Sequence, residues 1–451
     1  MTINNQIPST WEIVKLGEVC FTTSGGTPSR KVPKYFKGNI PWVKSGELDK
    51  GLILDTEENI TDEAIKNSSA KIFPKGTLLI ALYGATVGKL AFLGIDAATN
   101  QAVCGIYKSE FIDSIFLYHF LLLRKSKLVS QSIGGAQPNI SQGILKDLDF
   151  PLPPLPEQHR IVSKIEQLFT DLDKGIDSLK TAQQQLKVYR QAVLKWAFEG
   201  KLLDKKNVDG VLPKGWVWET IEDITSVLGD GLHGTPQYSE NGDYYFINGN
   251  NLSDWKIEIK ENTKRVTKSE FEKYKKPLND KTIFVSINGT LGNTAFYNNE
   301  KVILGKSACY FNVLDNIDKR YVKYCITSHR FVNYANINAT GSTIKNVGLK
   351  AMREFEVPVP PTLAEQQLIV SEIESRLSVC DKIEEIIETS LLQAEALRLS
   401  ILKKAFEGKL VKQNPTDEPA SVLLERIKAE RSTVVKNTQV QKKKKSNGKS
   451  N

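Results

Sequence analysis

Two stretches of this chain place apolar or small side chains at steps of three or four for longer than any other part. The first runs through Ile161, Ile165, Leu168, Leu172, Ile176, Leu179, Ala182, Leu186, Tyr189, Val193 and Trp196, with charged residues and glutamines between. The second runs through Ile369, Ile373, Leu377, Cys380, Ile383, Ile387, Leu391, Ala394, Leu397, Ile401 and Ala405. Such spacing, sustained over about six heptads, predicts two long amphipathic helices that pack on each other. Neither stretch holds a proline, and only Gly175 interrupts either as a mid-helix glycine. Elsewhere the pattern is shorter. Leu78 to Tyr83 and Thr282 to Ile287 predict buried strands, and Phe111 to Ser130 and Ile317 to Tyr334 predict helices, amid Gly, Pro, Ser and Asn punctuation.

The chain also says the same thing twice. Ala197-Phe198-Glu199-Gly200-Lys201-Leu202 recurs as Ala405-Phe406-Glu407-Gly408-Lys409-Leu410, an offset of 208 residues. Pro153-Pro154 with Glu157-Gln158 recurs as Pro360-Pro361 with Glu365-Gln366, Gly26-Thr27-Pro28 as Gly234-Thr235-Pro236, and Trp11 as Trp216. A period this long is a duplicated domain rather than a solenoid unit, whose repeats run about 20–50 residues. The expected layout is α/β: a globular domain at 1–155, a helical arm at 156–204, a second domain at 205–362, a second arm at 363–412, and a short helix with a basic tail at 413–451. A two-fold relation between the halves makes the coiled-coil-like arms antiparallel and the layout circular. An arm of about 40 residues spans about 60 Å, close to the ~70 Å of two turns of B-DNA.

Composition narrows the classes. With 40% hydrophobic and 25% charged residues among 451, the chain is globular and long enough for two or more cores. The net charge of +9 favours an anionic partner, although Lys442 to Lys445 supply four of the charges. Five cysteines, Cys20, Cys104, Cys309, Cys325 and Cys380, form no CxxC pair, which argues for a reducing cytoplasmic setting over a disulfide or zinc framework. The most apolar stretch, Leu78 to Ile95, is broken by Gly84, Gly88, Lys89 and Gly94, against a membrane span.

Two unlike globular domains, each closing on a proline-bearing exit, a Glu-Gln start to a long helix and an Ala-Phe-Glu-Gly-Lys-Leu finish, resemble the DNA-specificity subunit of type I restriction-modification systems. The resemblance covers essentially the whole chain, including Asp417-Glu418-Pro419-Ala420-Ser421 before a short final helix. It implies two target-recognition domains reading the halves of a bipartite site in double-stranded DNA, and arms that set the gap and dock two adenine-methyltransferase subunits. Motor-nuclease subunits would join that complex. S-adenosylmethionine, ATP and magnesium would belong to those partners, with no cofactor held here. Thr181-Ala182-Gln183-Gln184 sits where some relatives carry a short repeat whose copy number changes the gap.

Base reading needs amide and basic side chains on exposed loops, since Arg or Lys suits guanine and Asn or Gln suits adenine. In the first domain the candidates are Thr27, Ser29, Arg30 and Lys31, then Lys44 and Ser45, then Gln137 and Asn139. In the second they are His233, Thr235, Gln237 and Tyr238, then Asn248, Asn250 and Asn251, then Ser342, Thr343 and Lys345. Such loops are also what ordinary turns look like. Lys89, Lys264, Arg265 and Lys306 fit phosphates better than bases. For the partner, the resemblance points to Phe169, Phe198, Glu199, Lys201, Phe406, Glu407 and Lys409, while packing of those phenylalanines on the globular domains is the competing reading.

Catalysis finds little support. Gly84 to Lys89 is one residue short of a phosphate loop and is followed by Leu90 where Ser or Thr is needed. Asp243, Glu258 and Lys260 have no carboxylate or lysine counterparts at Asn39, Leu54 and Thr56, and the four histidines are scattered. A non-enzymatic DNA reader is the expectation. A two-headed protein scaffold without DNA readout stays open, as does a self-sufficient nuclease or methylase, against which the missing motifs speak.

Overall fold

Both periodic stretches fold as single helices of 44 residues, Leu155–Phe198 and Leu363–Phe406. The computed structural model describes residues 7–130, 140–203, 211–253, 255–341 and 343–432. Along the second helix Ile373, Cys380, Ile387, Ala394 and Ile401 are buried at every seventh residue, whereas the intervening Ile383 and Leu397 are exposed. Tyr189 and Trp196 on the first helix are likewise exposed. The seam is therefore narrower than the apolar stripe, because one facing helix covers less of a helix than a globular core does.

Contacts divide the chain into two compact units, Met1–Asp177 with Leu391–Asn451, and Ser178–Ser390. The divisions fall inside the long helices. In the first unit Ile161 and Ile165 share a core with Leu402 and Phe406, and Asp173 pairs with Arg398. In the second unit Arg190 pairs with Asp381 at 2.7 Å and Glu384 at 2.9 Å, while Val193 and Ala197 share a core with Ile369 and Ile373. Within each unit the partners' numbers fall as the first helix's rise, so the two segments run antiparallel.

The first unit opens with Glu12–Lys15 paired antiparallel to Asp149–Leu152. Its five-stranded sheet orders Thr22–Ser24, Val103–Ile106, Leu78–Ala81, Leu90–Leu93 and Leu52–Ile53. A four-stranded sheet orders Glu58–Ile60, Ile40–Val43, Ala97–Thr99 and Ile72–Phe73, its middle pair parallel. The helix Ser114–Ser130 buries Phe116 and Phe120 against Phe150 and Phe406.

The second unit repeats this plan. Val217–Thr220 pairs with Glu356–Val359, and a four-stranded sheet orders Thr225–Asp230, Ala308–Val313, Thr282–Ser286 and Thr294–Phe296. Arg265–Val266, Tyr244–Ile247 and Val302–Leu304 form the smaller sheet, again with one parallel pair. The helix expected over Ile317 to Tyr334 is two, Lys319–Thr327 and His329–Asn338, divided where Ser328 turns extended at ψ 156°.

The repeated phrases have structural jobs. Gln158 is buried; its Oε1 accepts from the Asp113 N–H at 2.9 Å and its Nε2 donates to the Pro153 carbonyl at 3.0 Å. Gln366 does the same in the second unit, accepting from the Asp318 N–H at 2.8 Å and donating to the Asn316 carbonyl at 3.2 Å. Asp113 and Asp318 cap the following helices, so each glutamine ties a long helix to its domain's helix start. At the other end Gly200 and Gly408 take φ of +69° and +70°, the left-handed turn that closes a helix and that only glycine adopts without strain.

Candidate nucleic-acid interface

In the first unit the loop after Thr22–Ser24 is drawn onto the small sheet. A side chain at Gly25 would lie 2.3 Å from the Thr99 carbonyl, and the Gly26 N–H donates to that carbonyl at 2.9 Å. The buried Trp42 indole N–H donates to the Gly26 carbonyl at 3.1 Å. The loop then exposes Ser29, Arg30 and Lys31, with Thr27 half-buried. Arg30 is held on three sides. Its two terminal nitrogens donate to both Glu58 oxygens at 2.6 and 3.1 Å, and its guanidinium carbon sits 4.0 Å from the Phe36 ring centre and 5.3 Å from that of Trp42. Lys44 shares the Glu58 carboxylate at 3.2 Å and also pairs with Glu57 at 2.6 Å. The Arg30 fork, more than Lys44, holds the Glu58 carboxyl below its ordinary range, and Glu57 with Glu58 holds the Lys44 ammonium above its own. Ser45 is half-buried at the start of a 3-10 turn. Gln137 and Asn139 lie outside the described residues.

The second unit builds the matched place with other side chains. A side chain at Gly231 would lie 2.3 Å from the Leu304 carbonyl, which accepts from the Leu232 N–H at 2.7 Å. The loop exposes His233, Thr235, Gln237 and Tyr238, with His233 on Asp230 and the Gln237 N–H on Glu270 at 3.0 Å. Tyr238 lies 6.0 Å from the Phe246 ring, and the Lys264 ammonium 5.8 Å from Tyr238. The correspondence is set by register: Trp42 stands opposite Glu58, and Phe246, whose N–H donates to the Lys264 carbonyl at 2.8 Å, stands opposite Lys264. Trp42 and Glu58 thus match Phe246 and Lys264, and the Gly-Thr-Pro offset of 208 sets Tyr238 against Arg30.

The asparagines divide. Asn250 is exposed, and its carbonyl accepts from Lys260 at 3.0 Å. The half-buried Asn248 accepts from the Ser307 hydroxyl at 3.0 Å. Asn251 corrects the sequence reading: it is buried, accepts from the Asn248 N–H at 3.0 Å and donates to the Glu258 carbonyl at 2.8 Å, so its amide is spent inside the fold. Thr343 and Lys345 are exposed, Lys345 bonding Asn336 at 2.6 Å; Ser342 is outside the described residues. Trp42, Glu58 and Phe246 were missed. The offset of 204 that relates Trp42 to Phe246 differs from the 208 of the loop motif, and only strand pairing reveals it.

Among the described residues no group of His, Cys, Asp and Glu is arranged to hold a metal, and no helix is long and apolar enough to cross a membrane. The five cysteines are buried and unbridged; burial pushes the thiols of Cys20, Cys309 and Cys325 up to about 12.

The sequence matches the family described as the type I restriction modification DNA specificity domain twice, over residues 8–184 and 213–393. The chain belongs to that family. Its relatives include the EcoKI specificity subunit of Escherichia coli K12, 27% identical over 94% of this chain and 96% of that protein. The MjaIX specificity subunit of Methanocaldococcus jannaschii is 28% identical over 54% of this chain, a match that spans 58% of the relative's length. Two solved structures share the fold. One is a chain from a type I R-M system, with TM-score 0.65 at 20% identity over 89% of this chain and 99% of that one. The other is the HsdS subunit of Thermoanaerobacter tengcongensis, with TM-score 0.58 at 19% identity over 91% and 100%.

In this specificity-domain chain two of the residues expected to meet a partner, Phe198 and Phe406, need correction. Phe198 and Phe406 are buried: Phe198 packs edge-on to Tyr321 at 5.3 Å, and Phe406 lies 4.9 Å from Phe116. Phe169 is half-buried, edge-on to His119 at 5.6 Å and capped by Arg398 at 4.7 Å. Aromatic burial in the domain's own core outweighs exposure to a partner. Glu199 pairs with Lys201 at 3.2 Å, and Glu407 with Lys409 at 2.9 Å, so these charges brace the helix ends.

Proposed function

We propose that this chain is the non-catalytic specificity subunit of a type I restriction-modification complex, which reads a split DNA target with its two domains and carries the methyltransferase on its helices. The observation that carries the reading is the duplication. The family matches twice, and the two halves of the chain keep the order of their shared strands, the Gln-to-Asp tie and the glycine helix end while the loops beside the small sheet change chemistry. Two readers of unlike chemistry imply two unlike half-sites. Lysines around the loops supply salt-dependent phosphate contacts.

Each unit also has a cleft beside its long-helix segment. One, of about 590 Å³, is lined by Val188, Ala192, Phe198, Leu212, Trp218 and Arg330. The other, of about 430 Å³, is lined by Leu123, Lys127, Ala396, Leu399 and Lys403. Val188 and Ala396 are a repeat pair, as are Lys195 and Lys403, which border the same clefts. Such a repeated feature supports docking of two copies of one partner, the adenine-methyltransferase subunit, with motor-nuclease subunits joining afterwards. S-adenosylmethionine, ATP and magnesium are then bound by those subunits, and the complex works in the cytoplasm.

The test is co-expression with a methyltransferase subunit encoded beside this chain, followed by mapping of methylated adenines in host DNA. The expected result is two short half-sites separated by a fixed run of unspecified bases. Methylation unchanged on deletion of this chain overturns the reading in favour of a protein scaffold.

A further inference from the structure

Arg30 keeps its side chain 54% exposed although it is held by a carboxylate and two rings. Glu58 takes one N–H from each terminal nitrogen. A guanidinium has five N–H groups in one plane. The Glu58 fork leaves the edge formed by Nε–H and the outer N–H beside it, two parallel donors spaced for two acceptors in line. That is the pattern that meets O6 and N7 of guanine in the major groove. Phe36 and Trp42 fix the plane and Glu58 fixes the rotation about it, so little side-chain freedom is left to lose on binding.

A pair serving only to pin the loop has no need of this arrangement. The loop is already held by the contacts of Gly25 and Gly26 with Thr99 and by the Trp42 indole. In the second domain the framework is kept but the loop presents a phenol and the residue before the edge strand a lysine, at Tyr238 and Lys264. The place has exchanged its hydrogen-bonding character while its backbone pairing persists, which is what a base-reading position does and a structural ion pair does not require.

From these observations we infer that Arg30 reads the base edge of a guanine in the half-site of the first domain, that Glu58 is its positioning residue, and that the matched Tyr238 and Lys264 read a different base in the other half-site. The inference rests on the specificity-subunit reading above and deepens it.

The experiment uses the chain assembled with the methyltransferase subunit. Methylation mapping gives the wild-type motif, and binding selection from duplexes randomised at each position of that motif gives the base preferences. R30K, which keeps the charge and the reach to Glu58 but loses the fork, lowers the preference for guanine at one position of one half-site by about 5- to 150-fold. R30A does the same, and E58Q does so at the same position to a smaller extent. Tyr238→Ala changes preference only in the other half-site. Loss of affinity for all sequences alike, with preferences unchanged, makes Arg30 a phosphate contact and overturns the inference. So does a split motif in which no guanine responds to R30K, and that result leaves the specificity-subunit reading standing. A wild-type motif that is not split overturns both.

Discussion

The two domains of this chain are one fold carrying two different surfaces. In the framework, substitution between them preserves the interaction: Phe116 and Tyr321 both take the terminal phenylalanine of a long helix, Phe406 in one case and Phe198 in the other. At the loops, substitution changes it: Arg30 and Glu58 become Tyr238 and Lys264. The difference separates positions that answer to packing from positions that answer to a ligand. A buried ring has only its neighbours to satisfy, and any ring of similar volume does so. An exposed side chain held rigidly by others is constrained for what it meets outside the fold.

The largest effects should come from breaking what the domains share. Phe406→Ala removes a ring packed on Phe116 and Phe120 and should cost the first unit about 3–5 kcal/mol. Phe198→Ala should cost the second unit a similar amount. Hydrogen exchange on the full chain, read at Ser114–Ser130 and Lys319–Thr327, should show each loss mainly in its own unit. Equal loss in both units would mean that they unfold as one body.

Acidity should then tell the domains apart. Burial pulls the His119 imidazole down to about 4, against the small opposing pull of Asp113. The repeat counterpart of His119 is Tyr324. Because the folded value lies below the unfolded one, the unfolded chain binds the extra proton first, and stability is lost as pH falls from about 6.5 through about 4. The loss should approach about 3 kcal/mol in the first unit, and His119→Phe should abolish that part of the slope. Urea unfolding followed by unit-specific proteolysis at several pH values reads it. A slope that survives His119→Phe would assign the acid sensitivity to another group.

A smaller effect tests the repeated glutamines. Gln158→Leu and Gln366→Leu leave the half-buried Asp113 N–H and the buried Asp318 N–H without their acceptors and should each cost about 1–3 kcal/mol. The same unfolding measurement checks this, and no cost in either unit would deny the tie between long helix and domain helix.

The long helices were legible because their period is local, and the duplication was legible because its phrases are helix ends, where caps and turns demand particular residues. The sequence also carried the loops that end up exposed, since Gly-Thr-Pro marks both. Three things were not legible. The apolar stripe hid how much one facing helix covers, so Tyr189, Ile383 and Leu397 read as seam although they face solvent. Phe198 and Phe406 read as docking residues because a terminal phenylalanine looks the same whether its pocket lies in its own domain or in a partner. Asn251 read as a base contact although its amide closes a turn. Each depends on what stands opposite in space, and that is set by strand register and tertiary packing rather than by neighbours in sequence.

The finest effect lies at the glycines that end the long helices. Gly200 and Gly408 share a left-handed φ, so alanine at either position should cost about 1–2 kcal/mol for the backbone alone. A side-chain carbon at Gly408 would lie 2.4 Å from the Pro8 ring and 3.5 Å from Trp11, so G408A must also displace the start of the chain, near which the C-terminal segment is anchored by the Ala420 N–H on the Thr10 carbonyl at 3.0 Å. G408A should therefore destabilise the first unit by more than that backbone cost, with raised proteolytic sensitivity at residues 7–11. A cost no larger than the backbone's, with residues 7–11 still protected, would show that Pro8 moves aside freely and that residues 7–11 do not brace the helix end they meet.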